Sequence, residues 1–367
     1  MKLAIIGPAY PLRGGIAHHV YSLYRELKTR GHDVQVISYS SLYPKLLFPG
    51  SSIFDTSELK LEAGALAILN PMNPITWIRC FKAVKRFAPD LVVIQWWNPF
   101  FAPLVGVLAR IFVSAGMKCV IECHNVLPHE RRRIDSPLLR FAFSMVTNFI
   151  THSQSDRDDL LSILPNKKVD VAPLPVLQEF RAAASPTERK GRTILFFGIV
   201  RKYKGLDVLL RAMPKVLTEV PCNLIVSGEF YDPVEEYQRL VDELGIAAHV
   251  RIENRYMPNE EVPALFDRAD VLILPYLSAT QSAVAGIALV NGLPIIASRT
   301  GGLSEVVKEG VTGLLFPPGD TDALANSLIH YFSSGVGETM AANLRAANLE
   351  GADMRIVDAI EKFGLSK

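Results

Sequence analysis

The feature that most constrains this chain is an alternation of short apolar segments with helically spaced segments, and the chain runs through it twice. In the first run, strand-like Leu3–Ile6 is followed by Ile16–Arg30, where Ile16, Val20, Leu23 and Leu27 fall on one helical face and Gly31 stops the helix. Strand Val34–Ser38, helix Ile75–Phe87, strand Leu91–Gln95, helix Pro103–Ser114 and strand Lys118–Glu122 come next. Helix Leu138–Thr147, strand Phe149–His152, helix Asp156–Leu164 and strand Val169–Ala172 complete the run. Strands that are apolar throughout and separated by helices belong to a parallel sheet covered on both faces.

The pattern pauses between Pro173 and Arg192, a stretch of prolines, alanines and charges that suits a linker. It restarts with strand Thr193–Phe197 and helix Leu206–Glu219, then strand Asn223–Ser227 and helix Val234–Leu244. Strand Val250–Glu253, helix Glu260–Arg268, strand Val271–Leu274 and helix Ala283–Asn291 follow. Strand Pro294–Ala297, a short helix at Leu303–Lys308, strand Gly313–Phe316 and helices from Asp320 onward close the chain. The expectation is an α/β protein of two tandem doubly wound domains with an interdomain cleft. The expected division is 1–180, a linker 181–192, a second domain 193–345, and a C-terminal helix 346–367 that could return to the first domain. Ligands of such sheets lie beyond the carboxyl ends of the strands.

Charge separates the halves. Residues 1–185 hold 21 basic and 14 acidic side chains, and the rest hold 18 and 23, within an overall net charge of +2. That balance excludes a dedicated nucleic-acid binder, while the basic first half suits an anionic partner. The four cysteines, Cys80, Cys119, Cys123 and Cys222, have no zinc-finger spacing and read as buried thiols of a cytoplasmic protein. The start of the chain does not read as a signal peptide. The longest apolar stretch, Pro99–Ala115, carries Arg110 and reads as a buried helix, not a membrane span.

Five loop motifs could carry chemistry. Gly14-Gly15 joins the first strand to its helix, either as an anion-tolerant close approach or as a tight turn. Gly198 to Gly205 places Arg201 and Lys204 after a strand, as phosphate ligands or as a solvated basic turn. Thr280, Gln281, Ser282 and Ala283 open a helix of small residues, as a diphosphate cradle or as a simple cap. Glu122-Cys123-His124-Asn125 ends a strand, with His124 either ligand-facing or structural. His129, Arg131, Arg132 and Arg133 follow, as a solvated run or as a contact to an anionic or membrane surface. Gly301-Gly302-Leu303-Ser304-Glu305 could bring amides and a hydroxyl-accepting carboxylate to a ligand, or Glu305 could simply suit a helix's first turn. Neither half has the Gly-x-Gly-x-x-Gly spacing with a distant acid that a nicotinamide dehydrogenase needs.

These motifs occur in a known order. Gly14-Gly15 with His19-Val20, Gly31-His32-Asp33-Val34, Arg201 to Gly205, Gly228-Glu229, Ala269-Asp270-Val271, Gly292-Leu293-Pro294, Gly301-Gly302-x-x-Glu305 and Thr312-Gly313-Leu314 together resemble glycosyltransferase family 4. The resemblance implies the GT-B fold of two Rossmann-like domains and a retaining, metal-independent transfer with no cofactor. A nucleotide-diphosphate sugar is then the donor, and a glycan or lipid-linked molecule the acceptor. It implies that Lys204 and Arg201 hold the diphosphate with amides near Gln281, Ser282 and Ala283, helped by Thr280. It further places His124 at the donor sugar, Gly14 and Gly15 near the phosphates, the Arg255-Tyr256 loop at the base, and Gly198, Glu229, Gly302 and Glu305 around the donor. Two positions depart from the family: its Glu-x7-Glu pair is Ala279 and Ile287 here, and its Arg after the strand-end glycine is Ile199. The missing carboxylates motivate an alternative, a catalytically silent relative that binds a nucleotide sugar or a partner. The resemblance and the basic first half point to a cytoplasmic protein, peripheral to the membrane if the acceptor is lipid-linked.

Overall fold

The structure is a computed structural model that describes residues 1–44, 50, 52–128, 132–182, 192–347 and 354–365. It divides into two compact units, the first comprising residues 1–56, 60–175 and 353–367, the second 57–59 and 176–352.

The first unit contains β1 (Lys2–Ile6), α1 (Gly15–Thr29), β2 (Asp33–Tyr39), β3 (Leu66–Leu69), α2 (Pro74–Phe87) and β4 (Leu91–Trp96). It continues with α3 (Ala102–Ser114), β5 (Cys119–Cys123), α4 (Asp135–Phe143), β6 (Asn148–Thr151), α5 (Gln154–Ile163) and β7 (Lys168–Val171). Its seven strands are all parallel in the order β3-β2-β1-β4-β5-β6-β7. Alternate residues of one strand enter different layers: Ala4 and Ile6 join the core under α2, α3 and α4, while Leu3 and Ile5 join the core under α1.

The second unit contains β8 (Thr193–Phe197), α6 (Leu206–Glu219), β9 (Asn223–Ser227), α7 (Val234–Glu243), β10 (Val250–Glu253), α8 (Val262–Asp267) and β11 (Val271–Leu274). Then come α9 (Ala283–Val290), β12 (Ile295–Ser298), α10 (Leu303–Val306), β13 (Gly313–Phe316), α11 (Thr321–Ser333) and α12 (Val336–Ala346). Six parallel strands lie in the order β10-β9-β8-β11-β12-β13. In both sheets the winding reverses once, between β1 and β4 and between β8 and β11. Those are the two points where a crevice opens at the strand ends.

Val176 onward belongs to the second unit because Leu177 and Phe180 are buried in its core, and Asn291 bonds both the Ala182 amide and the Phe180 carbonyl. The linker read from sequence falls mostly on 183–191, outside the described residues. The last helix, α13 (Arg355–Leu365), packs on α1, β4 and β6 of the first unit through Ile356, Val357, Ile360 and Phe363. Lys362 adds an ion pair to Asp170 at 2.7 Å.

Three details differ from the sequence reading. The pattern missed β3, a four-residue strand half exposed at the sheet edge. The helix read as Leu138–Thr147 is α4, Asp135–Phe143, because buried Asp135 bonds the Arg132 amide at 2.6 Å and starts it earlier. The helix read from Glu260 begins at Val262 because Asn259 and Glu260 are turned toward residues 57–59. All four cysteines are buried free thiols. The three tryptophans, Trp77, Trp96 and Trp97, lie in the first unit, so their fluorescence reports its unfolding alone. Ile360→Ala is expected to destabilise that unit by about 2–5 kcal/mol in urea denaturation followed by this signal. A loss under about 0.5 kcal/mol would mean that α13 is not part of that core.

Candidate active site

The winding reversal of the second sheet brings two loops together. After β8 the chain passes Gly198 and Arg201 into a 3-10 turn, Lys202–Lys204, closed by Gly205 at φ 65°. A Cβ at Gly205 would strike the Pro275 carbonyl, so only glycine lets this turn lie flush on the end of β11. The Leu277 amide donates to the Tyr203 carbonyl at 2.7 Å, and Tyr203 meets Tyr276 edge-on at 6.2 Å. Lys204 is carried inward with its Nζ 5.4 Å from the Tyr276 ring centre. A Cβ built on Gly198 would sit 3.5 Å from that Nζ and 3.4 Å from Cγ2 of Val284, which places the ammonium beside the first turn of α9.

This ammonium is only 9% exposed. Burial, with the nearby Arg201 charge, lowers its pKa from the ordinary lysine value against the opposing pull of Tyr203. Among the described residues no carboxylate pairs with it and no hydrogen bond engages it. A buried cation without an anion costs several kcal/mol, so the site is built to receive negative charge. The first-turn amides of α9 add to it, since they have no partners within the helix. Ser282, the N-cap, makes no capping bond; its hydroxyl shares a hydrogen bond with the Tyr276 phenol instead. Arg201, exposed at the rim, lays its guanidinium 5.1 Å from the Tyr231 ring centre.

Other expected donor residues gather at the same strand ends. Glu229, buried after β9, accepts the Val200 amide on its carbonyl at 2.9 Å. Gly301, at φ 45°, lies against the Ala279 carbonyl where any Cβ would collide, and the Gly302 amide donates to the Thr280 carbonyl at 3.0 Å. Thr280, Gln281, Ser282, Ala283 and Gly302 therefore form one loop pair beside Lys204. Glu305 is exposed in the first turn of α10. Tyr256 and Arg255 follow β10 at the sheet edge. The Arg255 guanidinium is gripped on two nitrogens by the Glu261 carboxylate, so its charge is already balanced. Ile287, where the family carries a Glu, is buried in the core under α9.

Gly14, Gly15 and His124 belong to the first unit. Gly14, at φ 116°, caps α1 and accepts the Ala17 and His18 amides on its carbonyl, and Gly15 is the first helical residue. His124 follows β5 and is 4% exposed. Sequence reasoning missed what surrounds it. Its Nε2 lies 2.6 Å from Oε1 of Gln95, whose Nε2 lies 2.6 Å from Oε2 of Glu122. Oε1 of Glu122 faces Nε2 of His19 at 2.5 Å and Nε2 of His152 at 3.2 Å. Burial would push the Glu122 carboxyl up, but the charge of His19 and the bonds from His152 and His19 hold it well below the usual range. Burial, with the charges of His19 and His152, pushes the His124 imidazole well below its usual value against the pull of Glu122. The donor atoms of His19, Glu122, His124 and His152 lie within 4.8 Å of one another, a set of a kind that binds divalent metals. Hydrogen bonds to His19 and Gln95 engage Glu122, and Gln95 engages Nε2 of His124, whereas Nε2 of His152 makes only the 3.2 Å ion-pair contact and Nδ1 of His19 is buried with no hydrogen-bond partner among the described residues. His129 and Arg131 lie outside the described residues, and Arg132 and Arg133 are exposed.

The comparisons with known proteins match both units. The family described as Glycosyltransferase Family 4 matches residues 13–177, and the one described as Glycosyl transferases group 1 matches residues 191–334. An uncharacterized glycosyltransferase of Methanocaldococcus jannaschii is 32% identical over 350 residues, covering 89% of this chain and 87% of the relative. The chain belongs to glycosyltransferase family 4. The D-inositol 3-phosphate glycosyltransferase of Corynebacterium diphtheriae is 27% identical over 354 residues, 86% of this chain and 81% of its own. Among solved structures, HepE of Anabaena in complex with UDP superimposes with a TM-score of 0.74 at 17% identity, covering 99% of this chain and 100% of its own. Sucrose-phosphate synthase of Thermosynechococcus elongatus gives a TM-score of 0.74 at 18% identity over 98% and 97%. The expected GT-B fold is thus observed, and this family member is a transferase enzyme.

The buried ammonium has a measurable signature without substrate. A lysine whose folded pKa is lowered binds fewer protons folded than unfolded, between that lowered value and the ordinary 10.5. The protein therefore gains stability as pH rises through that window. Lys204→Met is expected to be more stable than the native chain near pH 7, by about 1–4 kcal/mol, with the gap closing as pH approaches 10.5. A variant less stable than the native chain at pH 7 would show that the charge is already compensated.

Proposed function

We propose that this glycosyltransferase moves a hexosyl group from a nucleotide-diphosphate sugar to a hydroxyl of a glycan or lipid-linked acceptor, with retention and without a metal. The observation that carries the reading is the unpaired, buried Lys204 ammonium beside the start of α9. One structural neighbour supports the donor class: HepE of Anabaena is described in complex with UDP-glucose as well as UDP. As the bond from the sugar's anomeric carbon to the diphosphate breaks, its electron pair passes to the diphosphate oxygen. Lys204, Arg201 and the α9 amides stabilise that charge, which is commonly the largest catalytic contribution. Two side-chain cations and a helix start supply the neutralisation that a metal would otherwise give. The acceptor oxygen bonds the anomeric carbon on the face that the diphosphate leaves, and its proton passes to the departing phosphate. His124 is assigned to the transferred hexose, Glu229 and Glu305 to donor hydroxyls, and the Arg255-Tyr256 loop to the base.

A lipid-linked acceptor is favoured by one surface of the first unit. Helices α2, α3 and α4 pack side by side in one layer. The outer face of α2 exposes Ile75 and Ile78 with Arg79, Lys82, Lys85 and Arg86. Residues 132–147 expose Ile134, Phe141 and Met145 with Arg132, Arg133 and Arg140, and their only acid, Asp135, is buried. Apolar side chains among cations with no exposed carboxylate fit an anionic bilayer surface, at roughly 1 kcal/mol per cation. Among the described residues no helix is long and apolar enough to cross a membrane.

Incubated with a panel of sugar nucleotides and membrane extract, the native chain is expected to release nucleoside diphosphate, and Lys204→Ala to do so about 100-fold more slowly. Unchanged turnover would remove Lys204 from the mechanism. The native chain is expected to co-sediment with vesicles containing anionic lipid at low salt and less at high salt. Lys82→Glu with Lys85→Glu should abolish that binding. Equal binding to neutral vesicles would remove charge as its basis.

A further inference from the structure

We propose that His19, Glu122 and His152 form a binding site for one divalent transition-metal ion, zinc by the chemistry of the set, which ties α1 to the carboxyl ends of β5 and β6. The transfer proposed at Lys204 does not draw on it.

The alternation of side chains along the first sheet assembles the site. Val93, Val120 and Ile150 belong to the core layer under α1. Two residues on from each, the same face carries Gln95, Glu122 and His152. Helix α1 lowers its buried His19 onto that row. An otherwise apolar layer thus ends in a row of buried polar groups, all of them in the first unit. Burying such groups costs free energy unless each is engaged.

One nitrogen is not. The His152 side chain is fully buried, and its Nε2 makes no well-formed hydrogen bond among the described residues; it meets Oε1 of Glu122 at 3.2 Å. Nε2 of His19 lies against the same oxygen at 2.5 Å. Two imidazole nitrogens therefore converge on one carboxylate oxygen, with the His19 and His152 rings 5.5 Å apart and crossed at 73°. Neighbouring ligands of a tetrahedral zinc lie about 3.3 Å apart. The His152 contact already has that spacing, and ligation opens the His19 contact by under about 1 Å.

Two outer contacts hold these ligands as they are commonly held at metal centres. Nδ1 of His152 donates to the Ala172 carbonyl at 2.8 Å, and the Gln95 side-chain amide donates to Oε2 of Glu122 at 2.6 Å. His124 stands beside the set with its Nε2 2.6 Å from Oε1 of Gln95, and it is not counted as a ligand. Two imidazoles with one carboxylate are a zinc donor set, whereas calcium and magnesium take oxygen ligands.

The test uses the full chain, stripped with a chelator and returned to chelator-free buffer. It is titrated with zinc chloride alone, and with cobalt chloride to read the coordination by visible absorption. The expected result is one ion per chain at a dissociation constant below about 1 µM, with the cobalt bands of a four- or five-coordinate site. The thermal midpoint read by tryptophan fluorescence, which reports the first unit, should rise by about 5–10 °C at a hundredfold excess of zinc over that constant. Glu122→Gln and His152→Gln should each weaken zinc binding at least about 100-fold, and Gln95→Met, which removes an outer contact alone, about tenfold. No uptake of zinc by the native chain overturns the proposal. So does binding weaker than about 100 µM with an octahedral cobalt spectrum, which would be an adventitious ion only. Binding equally tight in Glu122→Gln and His152→Gln overturns it as well. The titration of the native chain decides by itself even where a variant fails to fold.

Discussion

A lysine ammonium held out of water with no counter-charge is the constraint on which the rest of this molecule turns. Lys204 reaches its place only because Gly205 lets the turn after β8 lie against Pro275. The Tyr203 carbonyl then fastens that turn to Leu277. The proposed diphosphate would supply the missing charge, and the first-turn amides of α9 add their partial positive charge beside the ammonium. A lysine at the surface would lose most of this energy to water and salt.

The doubly wound architecture explains why the constraint falls here. Where the winding of the second sheet reverses, α6 and α9 pass to opposite faces while the turns that lead into them meet at Tyr203 and Leu277. The first sheet reverses between β1 and β4, and its polar cluster of Gln95, Glu122, His19, His124 and His152 gathers at that end. One reversal thus carries an unbalanced cation and the other a buried cluster of one carboxylate with three imidazoles.

Most of the strand and helix order was legible from the sequence, because buried parallel strands such as Val271–Leu274 are apolar at every position and glycines or prolines bound them. The Arg201–Lys204 turn and the start of α9 were legible for a related reason: strand, loop and helix follow one another directly in the chain. β3 was not, since Leu66 and Ala67 are exposed and four residues at an edge leave no periodic signal. The network around His124 was invisible too. His19, Gln95, Glu122 and His152 come from α1, β4, β5 and the end of β6, and only the sheet's register makes them neighbours. Arg255 illustrates the converse: the resemblance placed its loop at the base, and its pairing with Glu261, six residues on, had no signal in the sequence.

Calorimetric titration of a nucleoside diphosphate, its nucleoside and inorganic pyrophosphate into the native chain and into Lys204→Met tests the central claim most directly. The account predicts that the variant loses at least about tenfold in affinity for the two phosphate-bearing ligands, a loss of about 1.4 kcal/mol, and little for the nucleoside. Equal affinities of native and variant chains for the diphosphate would contradict it.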